Sequence, residues 1–135
     1  MSVDLGAGAN TLTLANGVNT GTVKNVGTLI GGTGADTITL GTAIANGSID
    51  LGAGNDVLTF GNFANSATVA NTETITGGTG NDTVILAGAA SNASIDLGAG
   101  NDKLTFGNFT NTATSPTPRA SPAARATTPS PSQPR

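Results

Sequence analysis

The sequence predicts an all-β protein with a parallel β-solenoid, of the β-roll or β-helix type, and three observations lead to this prediction. The chain of 135 residues has 3% aromatic residues, no Trp, Tyr, Cys or His, and 20 Gly. A single packed core is difficult to fill with such residues, so a thin and repetitive architecture is favoured. The chain also repeats itself every 46 residues, and alternating apolar and polar residues follow each Gly-rich turn.

The repeat is close to exact in places. IDLGAGNDVLTFGNF at 49–63 recurs as IDLGAGNDKLTFGNF at 95–109, and GGTGADTITL at 31–40 recurs as GGTGNDTVIL at 77–86. Each period contains two related turns, LGAG and GGTG. Their second residues lie 26, 20, 26 and 20 residues apart: Gly6, Gly32, Gly52, Gly78 and Gly98. Each 46-residue period is therefore expected to form a double coil of unequal halves, which gives about five coils in all.

A strand with one buried face is expected after each turn, because apolar residues alternate there with polar ones. Stacking of the coils is expected to place the first apolar residues of these strands in one inward ladder: Leu12, Ile38, Leu58, Val84 and Leu104. The second apolar residues are expected to form another: Leu14, Leu40, Phe60, Leu86 and Phe106. No helical period occurs before residue 115, so the predicted core is a column.

The turns carry the chemistry. They read GGTGADTIT from Gly31, LGAGNDVLT from Leu51, GGTGNDTVI from Gly77 and LGAGNDKLT from Leu97. Glycines allow positive φ and close backbone approach, and a carboxylate recurs at the sixth position. Stacked carboxylates repel one another unless a cation lies between them. The alternative interpretation is a tight β-turn in which Asn or Asp hydrogen-bonds its own backbone.

These turns resemble the GGxGxDxUx nonapeptide of RTX β-rolls, in which U is a large aliphatic residue. The resemblance implies Ca²⁺ bound between stacked turns, since calcium takes about six to eight oxygens and one turn cannot supply them. The implied side-chain ligands are Asp36, Asp56, Asp82 and Asp102. The implied carbonyl ligands lie near Gly32, Gly34, Gly52, Gly54, Gly78, Gly80, Gly98 and Gly100.

The chain departs from the family pattern in three ways. Leu replaces the first Gly in the LGAG turns, and Asn10 replaces Asp in the first turn, which is expected to bind weakly or not at all. Each predicted coil offers one motif instead of two, so the sites are expected along one edge of the solenoid only.

The remaining polar residues are assigned structural roles. Asp4, Asp50 and Asp96 recur beside LGAG and are expected to form a structural ladder, while Asn25 and Asn71 are expected either to form a side-chain ladder or to be exposed loop residues. Glu73 has no predicted partner. Because catalysis needs a unique constellation and every acidic residue but Glu73 belongs to the repeat, the protein is predicted not to be an enzyme.

The composition changes abruptly at Ser115 to Pro, Ser, Ala and Arg. Residues 1–114 are therefore predicted to form the solenoid, and residues 115–135 a disordered tail. A one-base shift of reading frame in a GC-rich coding sequence for the repeat from Val69 gives Ser-Pro-Thr-Pro-Arg, so the tail is interpreted as the next repeat translated out of frame. The chain is interpreted as a fragment of a longer protein. Both ends of this fragment are expected to be uncapped, which favours end-to-end self-association.

Charge and hydropathy narrow the function. Residues 1–114 hold two lysines and all eight acidic residues, a net charge of −6, which argues against nucleic-acid binding. No apolar run is long enough for membrane insertion, and no export signal is present. The predicted function is a non-enzymatic, calcium-stabilised structural segment of a secreted or cell-surface protein, such as an adhesin, with a possible carbohydrate target. The alternative is a calcium-independent solenoid that binds ice or a polysaccharide through Thr11, Thr13, Thr37, Thr39 and Thr59.

Overall fold

A computed structural model describes residues 1–114 and the backbone of residues 120 and 121, and these residues form fourteen short strands in two sheets. Odd-numbered strands form sheet 1: β1 (Ser2–Asp4), β3 (Thr20–Lys24), β5 (Thr37–Leu40), β7 (Val57–Thr59), β9 (Thr74–Thr76), β11 (Ser91–Asp96) and β13 (Thr112–Thr114). Even-numbered strands form sheet 2: β2 (Thr11–Thr13), β4 (Thr28–Ile30), β6 (Gly47–Asp50), β8 (Ser66–Ala70), β10 (Thr83–Leu86), β12 (Lys103–Phe106) and β14 (Ala120–Ser121).

Each strand pairs in parallel with the strand two places further along the chain, so the backbone crosses from one sheet to the other and rises one layer every two strands. This is a parallel β-solenoid of about six turns, which confirms the predicted fold class and corrects the expected number of coils from five to six. Within the described part of the chain no helix is long and apolar enough to cross a membrane. The predicted tail lies outside the described residues, apart from the backbone of β14.

Most coils advance by 17 or 20 residues, close to two nonapeptides per coil. Thr20 pairs with Thr37, Thr37 with Val57, and Val57 with Thr74. One 46-residue period therefore contains five strands, which is two and a half coils, and the double-coil interpretation is wrong. Because five is odd, residues 46 apart lie on opposite sheets: Ile38 is in β5 of sheet 1, whereas Val84 is in β10 of sheet 2.

The core is a column, as predicted, but the residues that stack in each ladder differ from the predicted ones. The registers give one ladder in sheet 1: Ile38, Leu58, Ile75 and Ile95. They give another in sheet 2: Leu29, Ile49, Val69, Leu86 and Phe106. All nine side chains are at least 95% buried. The expected ladders are wrong because each of them mixed residues from the two sheets.

The corners between strands stack into two edges of the solenoid. Corners that lead from sheet 2 to sheet 1 form edge 1: 14–19, 31–36, 51–56, 71–73, 87–90 and 107–111. Corners that lead from sheet 1 to sheet 2 form edge 2: 5–10, 25–27, 41–46, 60–65, 77–82 and 97–102. Every Gly-rich turn of the repeat therefore lies at an edge, between the two sheets.

Candidate metal centre

The four Gly-Asp turns stack in two pairs, and the pairs lie on opposite edges. On edge 1 the turn 31–36 lies under the turn 51–56, with a parallel bridge from Thr33 to Ala53. On edge 2 the turn 77–82 lies under the turn 97–102, with the equivalent bridge from Thr79 to Ala99. The expectation that all sites share one edge is wrong, because the five-strand period moves each repeat to the opposite edge.

Glycine is required where successive turns approach each other. Gly98 and Gly100 have φ of 78° and 149°, and a Cβ on either would overlap the carbonyl oxygen of Gly78 or Gly80 in the layer below. On edge 1, a Cβ on Gly54 would likewise overlap the carbonyl oxygen of Gly34. Only glycine allows this spacing, and it leaves carbonyl oxygens facing the gap between layers.

The Asp of each turn reaches back to the coil before it. Asp36, Asp56 and Asp82 have no exposed surface, and Asp102 is 6% exposed. The backbone N–H of Asp36 donates to Oδ1 of Asp56 at 2.8 Å, and that of Asp82 donates to Oδ1 of Asp102 at 2.9 Å. The N–H of Asn19 donates to Oδ1 of Asp36 at 2.8 Å in the same way. These carboxylates thus cap a neighbouring coil, so the interpretation that they cap their own turns is wrong for them.

The second oxygen of these carboxylates has no partner. Oδ2 of Asp36, Asp56 and Asp82 is buried and accepts no hydrogen bond from the described residues. A buried polar atom without a hydrogen-bond partner destabilises the fold by about 1–3 kcal/mol, and a charged one by more. The stacks therefore contain anionic oxygens that the protein itself leaves unsatisfied.

The protonation behaviour reflects this environment. Desolvation by burial raises the pKa of Asp56 above its ordinary value; the N–H of Asp36 lowers it, and the charges of Glu73 and Asp36 raise it further. Desolvation also raises the pKa of Asp82, against hydrogen bonds from Asn65 that lower it. Burial thus makes the charged form of both carboxyls less favourable than it is in water.

Glu73 belongs to the edge 1 stack, although no motif marks it. Its Oε2 accepts the backbone N–H of Asp56 at 2.8 Å, as the aspartates do for their own lower neighbours. Edge 1 therefore has three successive carboxylate layers, Asp36, Asp56 and Glu73. The signal in the sequence is spacing: Glu73 follows Asp56 by 17 residues, as Asp36 follows Asn19 and Asp82 follows Asn65.

Asn19 and Asn65 occupy the layers just before the first Asp on each edge. Nδ2 of Asn65 donates to the carbonyls of Gly61 at 3.2 Å and Phe63 at 2.8 Å, and to Oδ1 of Asp82 at 2.9 Å. Nδ2 of Asn19 makes the equivalent contacts on edge 1. Its acceptors are Ala15 O at 2.9 Å, Gly17 O at 2.8 Å and Asp36 Oδ1 at 2.9 Å. Each amide nitrogen thus binds the carbonyls two and four residues before it and the Asp of the next coil.

No side-chain amide occupies the same position in the Asp turns, although the backbone N–H groups of Ala53 and Ala99 donate to the carbonyls of Gly32 and Gly78. The carbonyls two and four residues before each Asp belong to the glycines that the sequence predicted: Gly32, Gly34, Gly52, Gly54, Gly78, Gly80, Gly98 and Gly100. An ionised Asp has no N–H, so a cation is the group that suits this oxygen set. Residues 1–114 contain no cluster of three or more His, Cys, Asp or Glu side chains, so an ion here needs the carbonyls as well. Calcium, which prefers six to eight oxygens of mixed carboxylate and carbonyl type, fits such a set.

Asp4, Asp50 and Asp96 do not form the expected ladder, because they alternate between the sheets. Each accepts the N–H of the residue two positions later, at 3.0, 3.1 and 2.9 Å respectively, and caps its own turn. Nδ2 of Asn25 donates to Asp4 at 2.6 Å and Nδ2 of Asn71 to Asp50 at 2.8 Å. Asn25 and Asn71 have positive φ and lie on different edges, so the side-chain ladder is wrong for them also.

Parallel strands wound into coils of about two nonapeptides, with paired Gly-Asp corners on both edges, define a solenoid of the β-roll class. The family model of the RTX calcium-binding nonapeptide repeat matches the chain in four copies, over residues 27–42, 48–67 and 69–113, which include all four Gly-Asp turns. The chain therefore belongs to this family. No curated protein and no solved structure matches it.

Proposed function

We propose that this chain is a structural repeat segment whose coils are clamped together by calcium ions. The observation that carries the proposal is the set of buried Oδ2 atoms without a partner, on Asp36, Asp56 and Asp82. Family membership supports calcium as the ion, and the raised pKa values of Asp56 and Asp82 show that burial of these carboxylates is unfavourable in the metal-free fold.

Each proposed site takes two glycine carbonyls, the Asp of that turn and the carboxylate of the next coil. Within the described residues there are three such sets: Gly32, Gly34, Asp36 and Asp56; Gly52, Gly54, Asp56 and Glu73; and Gly78, Gly80, Asp82 and Asp102. Gly98, Gly100 and Asp102 form a partial set of the same kind, and the residues that would complete it lie outside the described part of the chain. Bound calcium supplies the positive charge that these oxygens lack.

The mechanism is mechanical stabilisation, without catalysis. An ion shared by two layers makes separation of those layers cost its ligand bonds, so ion binding and coil stacking are thermodynamically linked. Neutral carbonyls make up half of each set, and a low ligand charge lowers calcium affinity toward the roughly 0.1–1 mM range of extracellular modules. We therefore place the segment in a secreted or cell-surface protein, as an extended spacer.

Calorimetric titration of the full chain with calcium tests the proposal, together with circular dichroism in chelator and in calcium. The informative variant is Asp36→Asn/Asp56→Asn/Asp82→Asn. Its matched control is Asp4→Asn/Asp50→Asn/Asp96→Asn, which removes the same three charges from exposed turns and keeps the oxygens that accept hydrogen bonds there. We expect the first variant to lose most calcium binding and the control to retain it.

Two results would contradict the proposal. One is a wild-type chain whose thermal midpoint and β-structure are the same in chelator and in millimolar calcium. The other is equal loss of binding in the two triple variants, because that would indicate diffuse attraction of calcium to an acidic surface.

A second candidate function comes from the outer face of sheet 1. Two columns cross its strands β3, β5, β7 and β9, and seven of their eight residues are Thr: Thr20, Thr37, Val57 and Thr74, beside Thr22, Thr39, Thr59 and Thr76. The array expected from sequence is wrong in part, since Thr11 and Thr13 lie on sheet 2. Rows about 4.8 Å apart across the strands form a regular grid of hydroxyl and methyl groups suited to ice or a polysaccharide surface. Thermal hysteresis that disappears in Thr39→Lys would support this function.

Self-association is the remaining proposal. Among the described residues, β1 and β2 each pair on one side only, which leaves their other backbone edges for a strand from another molecule. Sedimentation analysis over a range of concentrations tests this, and a monomer throughout would contradict it.

A further inference from the structure

The layers that precede each row of Asp have a cation-like group of their own. In the Asn65 layer an amide nitrogen lies among two corner carbonyls and the carboxylate of Asp82, at 2.8–3.2 Å. In the Asp82 layer the corresponding oxygens belong to Gly78, Gly80 and Asp102. Backbone N–H groups donate to Gly78 O and to Asp102 Oδ1, but no side-chain amide of the described residues lies among the three oxygens. The two layers therefore have equivalent oxygen sets and differ in what lies at their centre.

We propose that the side-chain amides of Asn19 and Asn65 take the place of calcium ions, so that each is a latent calcium site closed by its own side chain. This inference rests on the proposed function. Each Asn couples its corner to the next coil without a metal, and each row of calcium sites begins on a layer that folds without one.

The chemistry of the amide supports this role. Nδ2 is a neutral donor with two hydrogens of partial positive charge, so it satisfies carbonyl and carboxylate oxygens and needs no ion. The contacts with Phe63 O and Asp82 Oδ1, at 2.8 and 2.9 Å, exceed usual calcium–oxygen distances of about 2.3–2.6 Å by a few tenths of an ångström, whereas the contact with Gly61 O, at 3.2 Å, is longer. Small shifts of the corner backbone would therefore convert one layer into the other.

The acceptor side of Asn is kept as well. Oδ1 of Asn65 accepts the N–H of Ile44 at 3.2 Å, in the same way that each Asp accepts an N–H from the coil before it. An Asp at position 65 can retain this contact and loses only the donor. Substitution of Asn by Asp thus changes the centre of the layer and leaves its link to the previous coil intact.

The test is to open the latent sites. In full-length Asn65→Asp, and separately in Asn19→Asp on edge 1, we expect one more calcium per chain than in the wild type by calorimetry. We also expect a lower thermal midpoint in chelator, restored by millimolar calcium. Asn108→Asp is the control, because it adds the same charge at an exposed corner position outside the rows of Asp.

The outcomes separate this inference from the proposed function. A wild type that binds no calcium overturns the proposed function. A wild type that binds calcium, with no additional ion in either Asn→Asp variant, overturns the inference alone. An equal gain in Asn108→Asp, or failure of both Asn→Asp variants to fold in calcium, also overturns it.

Discussion

Asp82→Asn is the most informative single substitution, because it should raise the stability of the chain in chelator and reduce the further stabilisation by calcium. Asp82 is completely buried, its Oδ2 has no partner, and burial raises its pKa. An Asn at this position keeps the oxygen that accepts from Asn65 and gains a donor. By analogy with the Asn65 layer, that donor reaches the carbonyls of Gly78 and Gly80 and the carboxylate of Asp102.

The expected magnitude follows from these contacts. Two neutral hydrogen bonds contribute about 0.5–1.5 kcal/mol each, and one to a carboxylate contributes about 1.5–3 kcal/mol. Side-chain ordering and imperfect geometry reduce the sum, so we expect roughly 2–4 kcal/mol of added stability in chelator. In calcium at 100 times the dissociation constant, the wild type gains about 2.7 kcal/mol from one ion that the variant cannot bind. The two effects should nearly cancel there.

Thermal unfolding in chelator and in calcium measures both terms. At about 4 °C per kcal/mol for a domain of this size, the midpoint of Asp82→Asn in chelator should rise by roughly 8–16 °C. Its response to calcium should be smaller than that of the wild type. Asp96→Asn, an exposed substitution with the same change of charge, should show neither effect. A chelator midpoint of Asp82→Asn at or below the wild-type value would refute the reasoning.

Three further predictions concern the same stacks. Glu73→Gln should lower calcium stoichiometry by one in calorimetry and leave the edge 2 site intact; unchanged stoichiometry would remove Glu73 from the ligand set. Because the folded-state pKa values of Asp56 and Asp82 are raised, the stability that these two carboxyls contribute to the metal-free chain should be complete below their ordinary pKa near 4 and lost as the pH rises through the raised values; Asp4, whose pKa is lowered, contributes in the opposite direction, mainly below pH 4. Unfolding in chelator across pH 4–8 checks this, and rising stability toward neutral pH would contradict it. Gly100→Ala should destabilise the fold by roughly 1–3 kcal/mol through strain and overlap with the layer below, whereas Gly88→Ala, where a Cβ meets nothing within 4 Å, should be near neutral in denaturant unfolding.

The sequence predicted the type of fold and the chemistry of the turns, because both are local properties. Alternation after each Gly-Asp turn indicates a half-buried strand whatever its neighbours, and glycines at corner positions indicate positive φ. The winding was not predictable in the same way. The 46-residue identity was so strong that it concealed the shorter steps of 17 and 20 residues that define a coil.

The same misassignment explains the errors at the site. Two coils in each period would place all Gly-Asp turns on one edge, so that interpretation gives the corners between them no role at the site. Asn19, Asn65 and Glu73 lie in those corners. Asn19 and Asn65 have only one motif glycine each, Gly17 and Gly61, and Glu73 has none, so residue type alone does not mark them. Their 17-residue spacing to the next acidic residue or from the previous one was the available signal.

The odd number of strands per repeat has a consequence for how the molecule presents itself to its surroundings. A residue that one repeat places on sheet 1 has its equivalent in the next repeat on sheet 2, half a turn around the solenoid axis. Lys103 on sheet 2 thus corresponds to Val57 on sheet 1, and the outer surfaces of both sheets are formed by equivalent positions of the same repeat. In an array built this way, successive repeats present their residues on alternate faces, and their Gly-Asp turns lie on alternate edges.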